Sequence, residues 1–187
     1  RLGIVITGPR QQPYWQSDGA AADHDFYDLK GIVESMLSGL HLAEVSFQPH
    51  TYPIFHPGKC AAVFVGETMV GVMGEIHPVV HSRYNFSDGP VLAAFFYLDK
   101  LYHLVPPRHE VGTVSTYPPV LEDIALVVDE SIPAGEVALL IRQTGGQQVT
   151  DVRLFDVYRG KQIGEGKKSL AYSLTYQAED RTLTDDE

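Results

Sequence analysis

The run Asp123-Ile124-Ala125-Leu126-Val127-Val128-Asp129 is an almost unbroken apolar strand. Such a strand is usually covered on both faces, which predicts a central place in its sheet over residues 124–128. Behind it, residues 134–143 carry Val137, Leu140 and Ile141 at helical spacing, with all three expected inward. Gly145-Gly146 is the expected stop of that helix. Two further strands, 149–158 and 169–177, are rich in β-branched and aromatic residues, and the glycine-bearing loop 160–166 joins them as a hairpin. The order is therefore β-α-β-β.

A β-α-β-β-α-β unit is the ferredoxin-like arrangement, and residues 115–187 read as that unit truncated after its third strand. Thr184-Asp185-Asp186-Glu187 places a glutamate three residues after a threonine, the pattern that caps the start of a helix. The helix it announces would lie beyond Glu187. At the other end, Arg1-Leu2-Gly3-Ile4-Val5-Ile6 reads as a strand already under way, without an initiator Met. Both ends are expected to be cuts in something longer.

Upstream, Val105-Pro106-Pro107-Arg108-His109-Glu110-Val111-Gly112 breaks the pattern, and residues 105–114 are expected to be a linker. Residues 1–104 then form a separate region. Residues 25–40 predict a helix capped by Asp25, with Phe26, Leu29, Val33, Met36, Leu37 and Leu40 on one face. Gly31 inside it is expected to mark close packing. Strands are expected at 43–48, 61–65, 69–75 and 91–98, with a turn at Gly66-Glu67. A short helix from Pro78 to about Tyr84 follows His77, proline being tolerated at a first helical position. Strands in adjacent runs favour a mainly antiparallel sheet, so the whole chain reads as α+β.

Bulk properties exclude several classes. The chain has 187 residues, one cysteine and a net charge of −10. That length can bury a core without disulfides, and a lone cysteine excludes an internal disulfide framework and fits a reducing cytosol. No apolar run is long enough for a membrane span and no signal peptide stands at the start. The charge is uneven: residues 151–176 hold Arg153, Arg159, Lys161, Lys167 and Lys168 against Asp151, Asp156 and Glu165. A solvated hairpin and a small phosphate-facing patch both fit that surplus.

No nucleophile elbow, glycine-rich phosphate loop or zinc-type cluster is present. Glu75, His77 and His81 resemble a metal set and would make the chain a small metal-dependent hydrolase, but His77 ahead of Pro78 reads better as a helix cap. Cys60 follows Lys59, which would lower a thiol pKa, yet it opens an apolar strand where an inert buried cysteine is the rule. In the hairpin, aromatics alternate with cationic and hydroxyl residues, as on sheets that stack unpaired bases. The plainer reading puts Phe155, Tyr172 and Tyr176 in the core.

Several runs resemble the β subunit of bacterial-type phenylalanyl-tRNA synthetase. They are Asp25-Phe26-Tyr27-Asp28-Leu29-Lys30-Gly31, Phe55-His56-Pro57-Gly58-Lys59 and Gly71-x-x-Gly74-Glu75-Ile76-His77-Pro78. Tyr117-Pro118-Pro119-Val120, the 123–129 strand, Leu154-Phe155-Asp156-Val157-Tyr158-Arg159-Gly160, Lys167-Lys168-Ser169-Leu170-Ala171 and Asp180-Arg181-Thr182-Leu183-Thr184 complete the series, in order, over nearly the whole chain. The resemblance implies that residues 1–104 are part of a class II synthetase-like core without catalytic residues, which braces a catalytic α subunit in an α2β2 assembly. It implies a ferredoxin-fold anticodon-binding domain over 115–187 and a cytoplasmic enzyme. ATP and magnesium would serve the α subunit, with no cofactor in this segment.

On that basis the hairpin 153–176 is expected to meet the anticodon arm of phenylalanine tRNA. Arg159, Lys161, Lys167 and Lys168 are the expected phosphate contacts and Tyr158 the stacking residue. Phe155, on the opposite face from Tyr158 by strand alternation, is assigned to packing. The sequence departs from the family where Leu121 and Glu122 replace common arginines, Tyr97 a common glutamate and Lys59 a common arginine. A free-standing RNA- or protein-binding protein built from the same modules is the competing class.

Overall fold

The structure, a computed structural model, describes residues 1–11, 15, 22–84, 86, 89–108 and 115–184, apart from the side chain of Lys161. The chain divides into two compact units, Arg1–Glu110 and Val111–Glu187. Residues 109–114 of the expected linker and the last three residues of the expected helix cap lie outside the described residues.

The first unit is a five-stranded antiparallel sheet in the order β1-β5-β4-β3-β2. Its strands are β1 (Leu2–Thr7), β2 (Val45–Pro49), β3 (Phe55–Val65), β4 (Thr68–Ile76) and β5 (Val91–Phe96). Helix α1 (Phe26–Gly39) buries Leu29, Val33 and Leu37 against Val63, Val70, Met73, Leu92 and Phe96. A second cluster, built on Phe55, Cys60 and Val72, takes in Tyr52, Met69 and Phe95. Phe55 stacks on Phe95 at 6.0 Å. Burial pushes the Cys60 thiol pKa up, as expected of an inert core cysteine.

Motif residues explain the local geometry. Asp25 caps α1 by accepting from the Tyr27 and Asp28 N–H groups, while Asp28 accepts from the Asp25 N–H at 2.7 Å. That hydrogen bond, with help from Arg10, holds the Asp28 carboxyl below its usual range. A Cβ on Gly71 would lie 2.5 Å from the Phe96 ring and 2.6 Å from the Phe95 carbonyl oxygen. One on Gly74 would lie 2.6 Å from the Lys59 carbonyl oxygen and 3.0 Å from the Phe55 ring. The Gly71-x-x-Gly74 spacing thus lets β4 accept a large aromatic at each glycine. His77 caps α2 (Pro78–Arg83), its Nδ1 accepting from the Val79 N–H at 3.2 Å.

Several expectations for this unit are corrected. Nothing lies within 4 Å of a Cβ built on Gly31, so that glycine marks no close packing among the described residues. Strand β3 begins at Phe55 rather than Ala61, and a register shift between Phe55 and Cys60 accommodates Pro57 and Gly58. Strand β5 ends at Phe96, and residues expected to finish it start α3 (Leu98–Leu104) instead. Leu101 of α3 is buried.

The second unit contains β6 (Val120–Asp129), α4 (Ala134–Gly145), β7 (Val149–Tyr158) and β8 (Lys167–Tyr176). Its antiparallel sheet has the order β6-β8-β7. The β-α-β-β order agrees with the sequence. The expected central strand does not: β8 is central, and β6 is an edge among the described residues. Apolar content alone cannot say whether a neighbour pairs with a strand. Helix α4 rests on the sheet by Ala134, Val137, Ala138 and Ile141. Leu140, expected inward, is 59% exposed at the side of that stripe. Val152, Leu170, Tyr172 and Leu174 complete the core, and the Tyr172 hydroxyl donates to the Ala134 carbonyl at 2.7 Å.

Candidate nucleic-acid interface

The hairpin of β7 and β8 sets the side chains of the candidate surface. Its cross-strand register pairs Leu154 with Tyr172, Val157 with Leu170 and Tyr158 with Ser169. Directly opposed residues share a sheet face. Tyr172 and Leu170 face the core, so Tyr158 belongs to the opposite face. Tyr158 is 45% exposed at the end of β7. Its ring crosses Gly160, where an added Cβ would stand 2.2 Å from the phenolic oxygen. Glycine at 160 therefore gives the Tyr158 ring its resting place. The loop then runs through a 3-10 turn, Lys161–Ile163, and two residues in the left-handed region, Gly164 and Gly166, with φ of 90° and 73°.

Arg159 follows Tyr158 and lies against Glu130, the first residue after β6. The Arg159 Nη2 donates to Glu130 Oε1 at 2.8 Å, and Nε to Oε1 and Oε2 at 3.1 and 3.2 Å. These bonds hold the Glu130 carboxyl below its usual range. Lys167 is exposed and stands opposite Asp129 in the strand register. The structure thus brings Tyr158, Arg159 and Lys167 to one end of the sheet beside the loop. The backbone of Lys161 is in the same loop, while its side chain lies outside the described residues.

Two expectations about this surface are corrected. Lys168 is only 8% exposed, and its Nζ donates to the Glu130 carbonyl at 2.8 Å. It shares the inward alternation of Leu170, Tyr172 and Leu174 and acts as an internal strut rather than a phosphate contact. Phe155, assigned to packing, is 56% exposed and outside the core clusters. The register shifts between Leu154 and Asp156, so a bulge at Phe155 interrupts the two-residue alternation on which its assignment rested. Sequence reasoning therefore missed Phe155 as a surface aromatic.

The other candidate sets have local roles. Glu75 pairs with Lys59 at 2.5 Å, a single-point contact between the ammonium and one carboxylate oxygen. The His81 ring nitrogen lies 3.2 Å from the Gly89 carbonyl oxygen. Among the described residues no group of three His, Cys, Asp or Glu is placed to hold a metal.

The β-α-β-β order, with the antiparallel sheet β6-β8-β7 and α4 packed on it, puts the second unit in the class of ferredoxin-fold modules. Residues 115–187 match the ferredoxin-fold anticodon-binding domain family. Residues 1–98 match the phenylalanyl tRNA synthetase beta chain CLM domain, and the chain belongs to the phenylalanyl-tRNA synthetase β chain family. It is 40% identical over 186 residues to the phenylalanine–tRNA ligase beta subunit of Symbiobacterium thermophilum, a match covering all of this chain and 20% of that protein. It is also 40% identical over 187 residues to that of Shewanella oneidensis, covering all of this chain and 23% of that protein. The chain thus spans about a fifth of the length of the curated relatives it matches.

Proposed function

We propose that this chain is a non-catalytic part of the β subunit of a cytoplasmic phenylalanine–tRNA ligase. Its first unit braces the catalytic α subunit of an α2β2 enzyme, and its second binds the anticodon region of phenylalanine tRNA. ATP and magnesium serve amino-acid activation on the α subunit, so this segment by itself activates no phenylalanine. The observation that carries the RNA reading is the exposed Tyr158 ring, seated on Gly160 at the sheet end that also carries Arg159 and Lys167, in a unit of the anticodon-binding family. An aromatic face stacks on any unpaired base, and flanking cations meet the phosphates on either side.

Tyr158, Arg159, Lys161 and Lys167 are the proposed RNA contacts. The full-length enzyme should bind phenylalanine tRNA with distinct losses in two variants. Tyr158→Ala should weaken binding by roughly 1–3 kcal/mol at every salt concentration, the worth of one stacked base. Lys167→Ala should reduce the slope of log affinity against log salt by roughly 0.7–0.9, the loss of one phosphate contact. Titrations of labelled tRNA at two salt concentrations measure both. Wild-type affinity and slope in both variants would place the RNA surface elsewhere.

A further inference from the structure

The end of β6 and the turn that follows it carry an acidic pair, Asp129-Glu130, directly beside the hairpin's cations. Glu130 grips Arg159 through three hydrogen bonds of 2.8–3.2 Å. Its backbone is fastened to the same hairpin independently of its carboxylate. The Glu130 N–H donates to the Gly166 carbonyl at 2.8 Å, and the Glu130 carbonyl accepts from Lys168 Nζ at 2.8 Å. The carboxylate can therefore be neutralised while two hydrogen bonds still hold the turn against the loop. Asp129 faces Lys167 across the β6–β8 ladder. A surface expected to attract phosphates thus carries its own anions.

The Arg159–Glu130 pair is solvent-exposed on both sides. An exposed pair is weak enough for another anion to displace, yet a phosphate arriving at Arg159 must first compete with the carboxylate already there. That competition weakens every RNA equally in its phosphate contacts. It leaves untouched the contribution of a base stacked on Tyr158. Discrimination is a difference of affinities, so a competitor for this sequence-blind contact leaves it unchanged and instead lowers the affinity and the salt dependence of every RNA.

We propose that Glu130 is a built-in competitor for phosphate on the RNA surface. Its carboxylate occupies Arg159 until a phosphate replaces it, and so tempers the affinity for every RNA whose backbone reaches Arg159. This rests on the RNA-binding reading of the hairpin.

The test is Glu130→Gln in the full-length protein, with two probes: phenylalanine tRNA and a chemically synthesised tRNA anticodon arm whose loop bases are replaced by abasic sites. The variant should bind the abasic arm roughly two- to fivefold more tightly than wild type at low salt, the range expected from removing one exposed ion pair. Its salt slope should steepen by roughly 0.7–0.9, the gain of one phosphate contact. Phenylalanine tRNA should gain by the same factor, so the ratio of the two affinities should stay as in wild type. Adding Arg159→Gln should cancel the gain, because Glu130 acts through Arg159. Weaker binding of both probes by Glu130→Gln would overturn the proposal and make Glu130 a prop for Arg159. An unchanged affinity for both probes with an unchanged slope would overturn it too. If wild-type protein does not bind tRNA at all, the underlying RNA reading fails and this inference with it. Tight wild-type tRNA binding with no effect of Glu130→Gln sinks only the inference.

Discussion

The two units use their motif residues in opposite ways. In the first, the residues that carry the family resemblance are consumed by the fold: Asp25 and Asp28 cap a helix, His77 caps another, and Gly71 and Gly74 make room for Phe96 and Phe55. The second unit keeps Tyr158, Arg159 and Lys167 of its motif runs at the surface, seated by Gly160. The difference teaches that a motif without catalytic chemistry can mark either a scaffold or an interface. Only burial and register separate the two. It also matches a division of labour in which one unit is braced internally and the other presents a surface.

The largest effect is expected inside the second unit, on the same hairpin that carries Tyr158. Tyr172 is fully buried and its hydroxyl is satisfied by Ala134. Tyr172→Ala should cost about 3–5 kcal/mol, as truncating a buried aromatic does, whereas Tyr158→Ala should stay within about 0.5 kcal/mol. Denaturant unfolding followed through the second unit measures both. If Tyr158→Ala unfolds the unit as readily as Tyr172→Ala, Tyr158 is core and the contrast between scaffold and surface collapses.

Gly71→Ala comes next and probes the first unit. The added methyl would meet the Phe95 backbone as well as the Phe96 ring, and backbone cannot step aside cheaply. A loss of about 3 kcal/mol is expected, at the upper end of ordinary overpacking. Thermal unfolding of the variant that matches wild type would show that the glycine is not needed for packing. The motif would then have some other role, which would weaken the assignment of this unit to scaffold.

The sequence made much of this visible because periodicity reports burial. The face of α1 and the β-α-β-β order of the second unit were legible for that reason. What escaped it depended on breaks in periodicity or on missing neighbours. The bulge at Phe155 shifts the alternation by one residue, and no residue type in Leu154-Phe155-Asp156 announces it. Pro57 and Gly58 hid the start of β3, since both usually end strands. Helix α3 was concealed because Leu98 continues the apolar run of β5. Lys168 was legible and was missed: the alternation that buries Leu170, Tyr172 and Leu174 also buries residue 168. The Glu130–Arg159 pair spans 29 residues and had no local signal.

The smallest effect separates motif membership from packing within one run. Gly31 closes Asp25-Phe26-Tyr27-Asp28-Leu29-Lys30-Gly31, a run whose other members include the cap of α1 and part of its inner face. Gly31 itself is exposed in the helix interior, and none of the described residues comes within 4 Å of the place an added methyl would take. Glycine there costs about 0.8–1.0 kcal/mol relative to alanine, through the backbone freedom it surrenders on folding. Gly31→Ala should therefore stabilise the first unit by about 0.5–1 kcal/mol, seen as a higher denaturant midpoint with an unchanged slope. Gly71→Ala, in the same unit, changes the same atoms and should move the midpoint the other way. The opposite signs follow from space and backbone freedom, since both substitutions add one methyl group. A lower midpoint for Gly31→Ala would mean that a neighbour does press on this face of α1, and the first unit's motif would then be part surface and part scaffold.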